Sequence, residues 1–87
     1  MNEFAGYIDN IIKGIYNGSY PLVFTTEKVN LETLEEKINF IYKKGLFDVE
    51  TYKKIQQFLN NELSVDDVTT LMDLVKEISD MNNTKTL

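Results

Sequence analysis

The 87 residues hold nine Lys against fourteen Asp plus Glu, a net charge of −5, with 43% apolar and 26% charged side chains. A chain of this size is one domain that buries about 60–65% of its unfolded surface, and its composition is globular rather than disordered. The absence of Cys, His, Arg and Trp excludes a disulfide framework, a zinc knuckle, a thiol nucleophile, an imidazole base and the guanidinium fork that reads phosphates.

The first helical pattern runs from about Asn2 to Tyr16. Phe4, Ile8, Ile11, Ile12 and Ile15 share an arc of about 100°, with Glu3, Asp9, Asn10 and Lys13 opposite. Asn2 is placed to cap its start. Gly14 weakens the helix by up to about 1 kcal/mol relative to Ala. Asn17-Gly18-Ser19 has the chemistry of a helix end.

Residues 20–26, Tyr-Pro-Leu-Val-Phe-Thr-Thr, break the pattern. Pro21 biases Tyr20 toward extended backbone, and β-branched and aromatic residues dominate. A lone strand leaves its backbone groups unpaired. The segment is therefore expected as an extended connector across the helices, or as an edge that pairs with a partner.

The next helix is expected from an Asn30 cap to Lys44, with Leu31, Leu34, Ile38, Ile41 and Tyr42 on one arc. Its early Glu and late Lys residues complement the helix dipole. Phe40 points about 180° from Leu31. Gly45 ends the helix and Asp48 caps the following one, whose apolar side is Val49, Tyr52, Ile55, Phe58 and Leu59. So short a connection makes the pair a hairpin or a helix-turn-helix, expected to form the middle of the fold.

Ser64-Val65-Asp66-Asp67 resembles a capping box with Asp in place of Glu. The last helix is expected to reach Ser79 or Asp80. Its apolar residues, Val65 to Met81, cover roughly 200°, wide enough for a central helix or a second interface. Residues 82–87 read as a flexible tail, so residues 1–81 form the single helical domain. The expected fold is all-α, a small bundle of about four helices with one extended segment at residues 20–26. A small α+β domain is the alternative.

Charge is unevenly placed. Residues 1–36 carry −4, residues 37–54 carry +3 and residues 62–80 carry −5. No catalytic set is present. The four Gly are scattered, and without His or Cys no spacing singles out a nucleophile and base. The run Glu62–Asp67 lacks the alternating acids, Gly and distal Glu of a calcium loop. No cofactor or metal is expected, and the chain is read as a non-enzyme. Met-Asn-Glu-Phe lacks the character of a signal peptide, and no apolar run reaches 18 residues, so a cytoplasmic protein without a membrane span is expected. Nine Lys without Arg, nine Asn and eight Ile suggest AT-rich coding, as in a low-GC bacterium or its phages and plasmids.

Two surface features carry the functional expectation. Asp66, Asp73, Glu77 and Asp80 form a stripe about 60° wide on the last helix, either a solvated face or a surface for a basic protein partner. Phe40, near Lys37, Lys43 and Lys44, either packs on residues 20–24 or anchors an interface. The leading expectation is a protein-binding regulator or inhibitor, in the manner of small acidic inhibitors from mobile elements. Two alternatives stand beside it. One is a helix-turn-helix DNA regulator using Lys43, Lys44, Lys53 and Lys54, disfavoured by the net charge and the lack of Arg. The other is a self-associating protein, possible as a homodimer through the last helix.

Overall fold

The computed structural model describes residues 2–21, 23, 25 and 28–85, with side chains from residue 3 to residue 82 within those stretches. Four helices follow in order: α1 (Asn2–Asn17), α2 (Leu34–Lys43), α3 (Val49–Leu59) and α4 (Val65–Lys85). The architecture is an all-α bundle. No strand occurs among the described residues, so the α+β alternative is not needed. Leu22, Phe24 and Thr26 of the expected extended segment lie outside the described residues. Its beginning is a turn: the Val23 N–H donates to the Tyr20 carbonyl at 3.2 Å, with Pro21 at the second position that proline favours.

The periodicity of α1 becomes the core directly. Phe4, Ile8, Ile11 and Ile15 are fully buried, joined by Ile38 and Ile41 of α2, Phe47 of the turn, Ile55 of α3, and Leu71 and Val75 of α4. Phe4 meets Phe58 of α3 edge to face, with ring centroids 5.1 Å apart. The middle of the bundle is the α1–α4 pair, with α2 against α1 and α3 against α4. This corrects the expectation that the α2–α3 hairpin forms the middle. The physical reason is length and polarity: α2 and α3 have 10 and 11 residues, while α1 and α4 have 16 and 21. The longer pair also shares buried polar contacts. The hairpin is held instead by the stacked rings of Tyr42 and Tyr52, 4.2 Å apart, and by the Tyr52 hydroxyl donating to Asn39 Oδ1.

Helix ends follow capping chemistry. The α2 cap is Thr33 rather than Asn30. The Glu36 N–H donates to Thr33 Oγ1 and the Thr33 N–H donates back to Glu36 Oε1. That reciprocal box satisfies two otherwise orphaned donors, which Asn30 could not do at its spacing. The Thr51 N–H donates to Asp48 and the Asp67 N–H donates to Ser64, as expected. α1, α2 and α3 all end in the same way. The Ser19, Leu46 and Glu62 N–H groups reach back to Gly14, Ile41 and Gln57 carbonyls, around left-handed Gly18, Gly45 and Asn61.

α4 continues past Asp80 to Lys85. Asn82, expected at the start of a loose tail, is buried. Its Nδ2 donates to the carbonyl and to Oδ1 of Asn10, and its Oδ1 accepts from the Ser19 hydroxyl at 2.6 Å. Asn10 Nδ2 in turn donates to the carbonyl and hydroxyl of Ser79. The Tyr20 hydroxyl donates to the Ile78 carbonyl at 2.7 Å, and burial pushes that hydroxyl's pKa up to about 12. No buried side-chain polar atom among the described residues lacks a partner. Because these donors and acceptors satisfy one another across the two helices, this cluster fixes α4 against α1 in one register.

Candidate protein-binding surfaces

The outward face of α4 is the first surface. Leu71, Val75, Ser79 and Asn82 point into the bundle. Helical geometry then puts Asp66, Asp73, Glu77 and Asp80 on the opposite side, within about 60° of one another. Asp66, Asp73 and Glu77 are exposed. Asp80 is half-buried and pairs with Lys76 at 3.1 Å, a contact that holds the Lys76 ammonium above its ordinary value of 10.5. The expected 200° apolar arc is only partly used. Leu74 and Met81, 38% and 51% exposed, lie along one edge of the acidic stripe, and Val65 stands out at the helix start. Asp66 to Glu77 spans about 16 Å along the axis.

The second surface is a cleft of about 430 Å³ between α2 and the connector ahead of it. Val29, Asn30 and Leu31 form one wall, and Glu36, Asn39, Phe40, Lys43 and Lys44 the other. It runs at Val29 into a neighbouring depression lined by Tyr16, Thr25 and Lys28. The Val29 N–H donates to the Tyr16 hydroxyl at 3.2 Å, which ties the connector to the end of α1. Lys28, Lys43 and Lys44 stand around this surface, and among the described residues that line it the acid is Glu36. Glu36 is occupied by the α2 cap: backbone N–H groups of Thr33 and Glu32 hold its carboxyl below the usual range.

Phe40, read from its off-face position either as packing on residues 20–24 or as an interface anchor, is a buried side chain, and Leu22 and Phe24 of that segment lie outside the described residues. Phe40 is 8% exposed. Tyr16 stacks on it at 5.9 Å with planes 19° apart, and Lys44 Nζ sits 5.6 Å from the ring centroid. The side chain opposite the main arc of α2 thus packs on the end of α1, and only its edge reaches the cleft. Tyr16, Lys28 and Val29 complete the surface and were not singled out by sequence. The off-face Phe40 was the one signal that something had to cover it. Lys43 and Lys44 line the cleft, while Lys53 and Lys54 lie on α3, about 100° apart around its axis. Lys37 bridges to Asp9 of α1 at 2.8 Å.

Among the described residues no group of His, Cys, Asp or Glu is placed to hold a metal ion. No described helix is long and apolar enough to cross a membrane. Comparison of the chain with protein-family models, with curated proteins and with solved structures finds no match.

Proposed function

We propose that the protein is a non-enzymatic binding module, a regulator or inhibitor that docks a basic protein surface on the outward face of α4. The observation that carries this reading is the pairing on one helix of exposed Asp66, Asp73 and Glu77 with exposed Leu74 and Met81. Charges at a rim steer encounter and select the sign of the partner, while apolar side chains beside them supply burial. A purely solvated face needs no such apolar edge. The fixed register of α4 on α1 supports the reading, because a rigid face loses less entropy on binding.

The test uses the tagged full chain as bait in lysate, beside an Asp66→Lys, Asp73→Lys, Glu77→Lys variant. Asp80 is kept so that its contact with Lys76 survives. Circular dichroism verifies that both baits are folded. A foreign protein retained by the first bait and lost from the second is the expected result. A foreign protein retained equally by both overturns the assignment of the face.

A further inference from the structure

The lysine-edged cleft and the face of α4 have opposite and matching chemistry. One offers Lys28, Lys43 and Lys44 around exposed Tyr16 and Val29, which are 39% and 41% exposed. The other offers Asp66, Asp73 and Glu77 beside Leu74 and Met81. Glu36, the acid among the described residues lining the cleft, keeps its negative charge but has Oε1 engaged in the α2 cap, and Lys28, Lys43 and Lys44 outnumber it.

We propose that the cleft docks the outward face of α4 from a second copy of this chain. Charge complementarity selects the occupant: an acidic, partly apolar helix face is what the cleft fits, and the chain itself carries one. The proposal does not require the foreign partner proposed above, and it is tested on the purified chain alone. The two surfaces differ, so the contact is heterologous. One junction leaves a cleft open at one end and an α4 face open at the other, and assembly grows unless a ring closes. The contact is also small. Stable pairs bury about 800 Å² per partner, roughly one seventh of the 5842 Å² surface of this molecule. One helix face on a shallow cleft lies at the weak end of that range, so association rises with protein concentration and falls with salt.

The test is a charge swap read by light scattering. The full chain at about 1 mM, where even weak contacts form, has a mean mass above 10.1 kDa at low salt. At about 1 M salt, where charges reach only about 3 Å, it returns to the mass of one chain. A Lys28→Glu, Lys43→Glu variant and an Asp73→Lys, Glu77→Lys variant each stay at the mass of one chain. Their equimolar mixture regains the assembled mass, because every junction in the mixture again joins opposite charges. All four positions are exposed, and circular dichroism verifies the fold of each variant. A chain that stays at 10.1 kDa at every concentration, variants that assemble like the parent, or a mixture that fails to recover, each overturns the proposal.

Discussion

Two glycines of one helix are expected to respond to the same substitution with opposite sign. At Gly14 an added Cβ would lie 2.6 Å from Tyr20 Cε2, 2.8 Å from Asn82 Cγ and 3.0 Å from Asn82 Cβ. Ordinary carbon contacts are about 3.5–4.0 Å, so both neighbours must retreat by about 0.5–1 Å. Neither is loose. Tyr20 is held by its bond to the Ile78 carbonyl, and Asn82 by Asn10 and Ser19. The Asn82 Cβ also moves only with the α4 backbone. Overpacking of this kind costs about 1–3 kcal/mol. Disturbing one or two of the hydrogen bonds adds about 1 kcal/mol each. The helix propensity of Ala returns about 1 kcal/mol. Gly14→Ala is therefore expected to destabilise the protein by about 1–4 kcal/mol, and each kcal/mol lowers Tm by about 4–8 °C in a domain of this size. Gly6 lies in the same helix with nothing within 4 Å of the added atom. Gly6→Ala keeps the propensity gain and is expected to stabilise by up to about 1 kcal/mol. Urea unfolding followed by circular dichroism compares the two. A Gly14→Ala protein as stable as the parent, or more so, refutes the close approach of α1, Tyr20 and α4.

Asn82→Ala removes the group between Asn10 and Ser19 and is expected to cost about 1–3 kcal/mol by leaving buried groups unpaired. An unchanged urea midpoint would show that Asn82 is not packed. The raised pKa of Tyr20 makes its contribution complete below the unfolded value of 10.0 and lost as pH rises toward about 12. Alkaline titration should therefore destabilise the parent more steeply than Tyr20→Phe over that window. Equal slopes contradict the burial of the hydroxyl. Glu36 and Asp48 have carboxyls lowered from 4.5 and 3.8 by cap hydrogen bonds, so their contribution is present above those values and lost as pH falls below them. A Glu36→Gln, Asp48→Asn protein should lose less stability on acidification than the parent, and an identical acid transition would count against the caps.

Local rules made most of the fold legible. The spacing of Phe4, Ile8, Ile11 and Ile15 placed α1 and its buried side, because a helix of period 3.6 must put them together. Gly45, Asp48 and Ser64 marked ends that hydrogen bonding then observed. What stayed hidden depends on tertiary contact. Asn30 and Thr33 are both good caps, and Glu36, three residues after Thr33, decides between them. Asn82 looks like a polar tail residue until Asn10 and Ser19 supply partners from far away in sequence. Gly14 reads as a weak point of α1, whereas it is where Tyr20 and Asn82 of α4 pack too close to leave room for a Cβ. Of the candidate surfaces, the acidic stripe was readable because it follows one helix. The cleft was not, because Lys28 and Val29 belong to an irregular segment without period, and Tyr16 reaches Phe40 only once α1 and α2 pack.

The central claim is that the outward face of α4 meets another protein. Site-directed photo-cross-linking tests it most directly, with a photoreactive side chain at exposed Thr70 on α4 and, separately, at exposed Gln57 on α3. The account predicts a covalent adduct to a protein other than this chain from position 70 and none from position 57. A foreign adduct from position 57 with none from position 70 would contradict it.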